Sequence, residues 1–238
     1  MPLSLLRNDL PRALGAVRAL IADPDDLPQV FTLLDALPGD TFLRMERRLA
    51  TTERGRRILA ARPQIVALLE DRAALRRLPE GSLGRAYLDF VESEKISPAG
   101  IQEADARGGG DASLLPPTFA YLHGRMRDTH DLWHTVTGYK GDVLGETALL
   151  AFSLAQTWNP GVGLLVAVGL FKTFGAPAAR AVILEGLRRG LRAAWLPERE
   201  WETMLSRPVD EVRAELRVGP PPAYAPIRSV DLKVAEAA

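Results

Sequence analysis

The three histidines of this chain, His123, His130 and His134, fall within twelve consecutive positions. His130 and His134 are four residues apart, which on an α-helix sets their side chains about 40° apart around the axis and one turn above each other. Asp131 lies at about 100° from His130 and about 60° from His134, so all three are expected to converge beside one helix. Glu146 follows His134 after eleven residues. Two imidazoles and two carboxylates suit a divalent ion, Zn2+ first, with Mn2+, Fe2+, Co2+ and Mg2+ as alternatives, and suit Ca2+ less well. The chain has no cysteine, so thiolate ligation is excluded. His130, Asp131, His134 and Glu146 are therefore the candidate metal-binding and catalytic set.

Two neighbours have weaker cases. His123 is seven residues before His130, on the same face but two turns away, too far to share the ion; it reads as structural or as a pocket wall. Arg127 is placed to orient Asp131, to bind an anionic substrate, or to form an ordinary surface i,i+4 pair. Zinc proteases carry His-Glu-x-x-His with the Glu as general base. Here the acid is Asp131, one methylene shorter, which reaches a metal more easily than a bound water, so no protease is read. A helical phosphohydrolase with an adjacent His-Asp pair needs a further histidine from another helix, and His123 is on the same one.

The elements that must position these residues read as helices. Thr118 is a candidate N-cap for a long helix over 119–136. Gly138 and Gly141 bracket a short turn, and Asp142 caps a second helix over 143–157, which stops at Asn159-Pro160. So short a turn predicts an antiparallel helix hairpin, with His134 one turn before the bend and Glu146 one turn after it. Further helices are expected at 12–21, 27–37, 41–49, 53–60, 83–91, 161–174, 178–194, 198–205 and 209–216, with shorter pieces at 63–69 and 73–78. Strand signals are weak throughout. The fold class is all-α, a single helical domain over 1–218 with the metal site on the hairpin. Gly108-Gly109-Gly110 predicts a flexible connection within that domain, and 219–238 an extended, poorly packed tail.

Composition narrows the function. Of 238 residues 47% are hydrophobic and 25% charged, and the net charge is zero. That excludes the basic footprint of non-specific nucleic-acid binding. The first twenty residues lack the long apolar core and cleavage site of a secretion signal and carry acid too early for a transit peptide. The longest apolar run, Val162 to Phe171, is about half of the ~20 residues a spanning helix needs. The expectation is a cytoplasmic protein that is not integral to a membrane.

Three blocks carry a family resemblance. Tyr121-x-x-x-Arg125-x-Arg127-x-x-His130-Asp131-x-x-His134, then eleven residues, then Glu146, resembles the signature of the coenzyme Q (ubiquinone) biosynthesis protein 4 family. So do Leu78-Pro79-Glu80-Gly81-Ser82-Leu83-Gly84-Arg85-x-Tyr87-Leu88 and Glu198-Arg199-Glu200-Trp201-Glu202. The resemblance implies an all-helical protein holding one divalent metal, commonly zinc, through His130, Asp131, His134 and Glu146. It implies oxidative removal of the C1 carboxyl from a polyprenylated hydroxybenzoate-type ring or, alternatively, a non-catalytic lipid-binding scaffold for a ubiquinone biosynthetic complex. It further implies partners among other ubiquinone biosynthesis proteins and a peripheral place on a membrane, for a bacterial member the inner face of the cytoplasmic membrane. Tyr121, His123 and Arg127 are then candidates for supporting the metal or the substrate. A bound metal would position the ring and stabilise charge as CO2 leaves. Zinc has no redox chemistry, so oxygen would draw electrons from the ring. The prenyl tail needs an apolar wall, for which the run 148–174, above all Phe152, Leu165, Val168 and Phe171, is the candidate. Helical apolar faces make a homodimer plausible.

Overall fold

The computed structural model describes residues 8–110 and 112–230. Expectations that fall on residues 1–7, on Asp111 and on the tail beyond Val230 lie outside the described residues. Among those described there are 14 α-helices and no β-strand, in accord with the all-α reading. Helices whose ends carry strong local signals start where the sequence puts them. Asp142 accepts from the Leu144 and Gly145 amides at the start of α11 (Val143–Thr157). Asn159 does the same for Val162 in α12 (Pro160–Lys172), with Pro160 at the first helical position.

The metal motif lies at the centre. Every residue of α10 (His130–Thr137) from Asp131 onward is buried. α10 packs chiefly on α7 (Leu83–Glu94), and α11 chiefly on α13 (Pro177–Arg192). The latter contact depends on absent side chains. A Cβ on Gly186 would lie 2.2 Å from the Ala148 carbonyl oxygen, and one on Gly190 2.4 Å from that of Phe152. These i,i+4 glycines forfeit about 0.5–1 kcal/mol each of helix propensity to let the two backbones touch. α10 and α11 pack little on each other, so the pair is a turn between two helices held from outside more than a hairpin zipped along its length.

The three sequence blocks converge in space. The Leu83 and Gly84 amides donate to the carbonyls of Arg207 and Leu205, and the Val209 amide to that of Gly81. Arg125 forms a bidentate pair with Glu202 (2.7 and 3.2 Å) and donates to the Arg199 carbonyl (2.7 Å). That use of the Arg199 carbonyl accompanies a departure from expectation. The helix expected at 198–205 is two short 3-10 turns, Leu196–Glu198 and Trp201–Thr203.

Three other expectations are corrected. The single helix over 119–136 is two, α9 (Pro117–Asp128) and α10, broken at Thr129 with φ −98° and ψ 0°. The Thr129 hydroxyl donates to the Arg125 carbonyl (2.8 Å), the back-bonding that bends helices. The glycine run is pinned: α8 (Pro98–Gly108) continues into it, the Thr32 hydroxyl donates to the Gly108 carbonyl, and the Gly110 amide donates to Asp35. From Gly219 to Arg228 the tail is extended as expected but packed, with Tyr224 lodged between two core clusters.

Candidate metal centre

His134 is the best determined member of the site. It is buried, with 1% of its side chain exposed, under the Phe90 ring of α7, stacked 5.0 Å away. Its Nδ1 lies 2.9 Å from the Tyr139 carbonyl oxygen. A carbonyl only accepts, so Nδ1 carries hydrogen and Nε2 faces the site, the arrangement that prepares a histidine for a metal. Gly138, with φ +79°, turns the chain so that the Tyr139 carbonyl reaches back. The carbonyls that end α10 are taken by two guanidinium groups. Arg213 donates to Thr135 and Val136, and Arg189 donates to Thr137.

His130 and Glu146 complete a triangle. His134 Nε2 lies 3.2 Å from His130 Nε2 and 3.1 Å from Glu146 Oε1, and His130 Nε2 lies 3.5 Å from Glu146 Oε2. Two nitrogens bound tetrahedrally at zinc–nitrogen lengths would stand about 3.3 Å apart, so the two imidazole nitrogens already have the spacing of a coordination edge. His130 and Glu146 are partly exposed, at 26% and 42%, which leaves an open side. Two histidines, one glutamate and an open position form the pattern of catalytic rather than structural zinc sites. Among the described residues this is the one group of three or more His, Asp and Glu at metal-ligand spacing.

Asp131 is not part of the triangle. The sequence reading had its side chain converge with the others, but its carboxyl is buried beside them. Burial raises its pKa above the usual carboxylate range, and the Glu146 charge adds to this, against the opposing pull of His130 and His134. Burial, then the Asp131 charge, raise the pKa of the Tyr87 phenol of α7 above its ordinary value. Burial alone would lower the His134 pKa, but the Glu146 charge and hydrogen bond, Asp131 and the Tyr139 carbonyl outweigh it and raise the value to about 9. Burial opposes ionisation of Glu146 too, yet the two imidazoles hold its carboxyl far below the usual range. Metal and proton thus compete for the same Nε2.

The other sequence candidates lie elsewhere. Arg127 does not orient Asp131; it pairs with Asp105 (2.6 Å) and Asp128 (2.8 Å). His123 stands between Asp35 and Asp105, edge-on to Phe42. Tyr121 packs with Met45, Leu49, Ile58 and Trp195, its hydroxyl directed at the Pro63 carbonyl. The four apolar residues proposed to wall a prenyl channel are not brought together. Phe152 is in the main core against Trp133. Leu165 and Val168 pack on the cluster formed by α1 (Leu10–Ala22) and α2 (Leu27–Ala36), and Phe171 is 80% exposed. Sequence reasoning missed Phe90, Arg189, Arg213 and Tyr139. Of these, Tyr139 acts through its carbonyl, which every residue carries, so no side-chain pattern could have marked it.

Helices gathered on a buried histidine, a partly exposed one and a facing glutamate define an all-α protein with a candidate divalent-metal centre. The pattern of the family described as coenzyme Q (ubiquinone) biosynthesis protein Coq4 matches residues 1–222. The mitochondrial ubiquinone biosynthesis protein coq4 of Talaromyces stipitatus is 32% identical over 222 residues, 91% of this chain and 74% of that protein. The mitochondrial COQ4 homologue of Danio rerio is 31% identical over 217 residues, 88% of this chain and 76% of its own. A crystal structure of a provisionally assigned ubiquinone biosynthesis protein from Nostoc punctiforme superposes with a TM-score of 0.63 at 25% identity, covering 90% of this chain and 100% of that one. The chain belongs to the Coq4 family of ubiquinone biosynthesis proteins.

Proposed function

We propose that this protein is a metal-dependent enzyme of ubiquinone biosynthesis that removes the C1 carboxyl of a polyprenylated hydroxybenzoate-type ring, with oxygenation at that carbon. The observation that carries the reading is the convergence of the His130 and His134 Nε2 atoms, 3.2 Å apart, on the Glu146 carboxylate, whose two oxygens lie 3.1 and 3.5 Å from them, with one side open. A divalent ion held there, zinc by preference, would supply Lewis acidity toward the ring carboxylate and phenolic oxygens. The protein's own groups do the rest. The Tyr139 carbonyl holds the His134 ring in the ligating tautomer. Phe90 covers that ring and keeps water from it. Asp131, buried beside the metal ligands with its pKa raised, is placed to exchange a proton as charge changes on departure of CO2.

The reading places the protein on a membrane surface, the inner face of the cytoplasmic membrane for a bacterial member, among other ubiquinone biosynthesis proteins. No helix of the described residues is long and apolar enough to cross a membrane. Large apolar side chains are nonetheless exposed on α1 (Leu10, Leu14, Ile21) and at the end of α12 (Phe171, Phe174). Such a surface suits a lipid headgroup boundary. It also leaves room for self-association as a homodimer.

The test is metal analysis and ring decarboxylation by the purified protein and its His134→Ala variant. The expected result is about one metal per chain and turnover in the wild type, with both lost in the variant. Unchanged turnover after loss of the metal would overturn the reading. Metal binding without turnover, with biosynthetic complexes still assembled, would favour the scaffold.

A further inference from the structure

We propose that the C-terminal segment from Pro220 to Arg228 is a positioning strap for the metal centre, with Tyr224 as its key residue. The inference rests on the reading that His130, His134 and Glu146 hold a metal. The segment crosses the turn that joins α10 to α11. At its start, Arg189 donates to the carbonyls of Val218 (2.9 Å) and Pro220 (3.1 Å) while also holding that of Thr137 (2.8 Å), so one guanidinium ties the strap to the end of α10. Pro221 lies against Gly138, where an added Cβ would stand 2.5 Å from the Pro221 Cβ.

Tyr224 makes the central contacts. Its hydroxyl accepts from the Lys140 amide (2.9 Å) and donates to Asp142 Oδ2 (2.9 Å). Its ring faces that of Tyr139 at 6.3 Å. Asp142 Oδ1, the cap of α11, accepts from the Ile227 amide (2.9 Å), and the Val143 amide donates to the Ile227 carbonyl (2.9 Å). Arg228 pairs with Glu94 of α7 (3.1 Å).

Two of these contact points, the Lys140 amide and Asp142, lie beside groups that orient a candidate ligand. The Tyr139 carbonyl, one residue before Lys140, sets the His134 ring. Asp142 starts the helical turn that carries Glu146, whose amide donates to the Asp142 carbonyl (2.8 Å). α10 and α11 pack little on each other, so the distance between His134 and Glu146 is set through the turn, and the strap holds the turn.

The test uses full-length protein, wild type, Tyr224→Phe and Tyr224→Ala, titrated with Co2+ and followed by its visible absorption. Amide hydrogen exchange over 138–146 is measured in parallel on metal-free protein. Loss of the hydroxyl alone is expected to weaken Co2+ affinity about tenfold, the low end of what removing an outer partner of a metal ligand costs. The cobalt bands should shift and exchange across the turn should quicken. Tyr224→Ala should do more. Variants that lose stability but bind Co2+ as the wild type does would show the strap to be packing only and overturn the proposal. A wild type that takes up no Co2+ would instead refute the metal reading, and this inference with it.

Discussion

Two groups of imidazole and carboxylate occur in this molecule, and only one has the geometry of a metal site. At the centre, the donor atoms of His130, His134 and Glu146 lie within 4.8 Å of one another. In the second group, His123 Nε2 lies 3.7 Å from Asp105 and 3.8 Å from Asp35. There, Arg127 already neutralises Asp105 and Asp128, and the Gly110 amide occupies Asp35. A guanidinium is a permanent cation, so its carboxylate partners are spent. At the centre, the carboxylate's partners are imidazoles, which can give up a proton to admit a metal. Residue types alone do not separate the two groups; the identity of the counter-charge does.

The largest expected effect uses pH to separate them. Glu146, Asp131 and the Tyr139 carbonyl raise the His134 pKa to about 9 and metal must displace the proton held there, so metal affinity should rise about tenfold per pH unit from roughly 6.5 towards 9. Calorimetry in two buffers of different ionisation heat should find about one proton released per metal near pH 7.5. Metal-free stability should run the other way. A raised histidine pKa gives a contribution complete below about pH 6.5 and lost as pH rises through the folded value. The lowered Glu146 pKa gives one complete above about pH 4.5 and lost as pH falls. Metal-free protein should therefore resist denaturant best between those limits, and a flat profile would break the assignment of His134 and Glu146 as a charged pair.

Next in size is Arg127→Ala, which strips Asp105 and Asp128 of their counter-ion in a part-buried setting. Urea unfolding should show a loss of about 2–3 kcal/mol, with metal stoichiometry unchanged. Loss of metal would return Arg127 to the site. Smallest is His123→Ala, expected to cost about 1 kcal/mol through lost packing on Phe42 and lost contact with Asp35 and Asp105. Its metal content should match the wild type, and a halved content would make the second group a site after all.

Much of the fold was legible. α3 (Thr41–Leu49) and α11 have the limits read from sequence, because apolar periodicity and turn residues mark both ends. α8 was missed although Ser97 and Pro98 carry a start signal, since the glycines after it drew the reading towards a loop. The break at Thr129 was invisible because α9 and α10 together keep a continuous helical pattern, and one hydroxyl decides where the bend falls. At the site, spacing pointed to His130, Asp131, His134 and Glu146; the structure brings donor atoms of His130, His134 and Glu146 within 4.8 Å of one another and leaves the Asp131 carboxyl outside that group. Helical angles specify a direction from the axis and leave open which neighbour meets the side chain.

The sequence by itself determined the class, all-helical, and a candidate His–Asp–His–Glu donor set, because helix caps and i,i+4 spacing are local and need no partner. Only the tertiary structure decided which carboxylates remain free for a metal, which carbonyl orients His134, and that the tail past Val218 is tied across the turn. Those outcomes depend on contacts between residues as far apart as Asp142 and Ile227, or Asp105 and Arg127, and no periodicity encodes them.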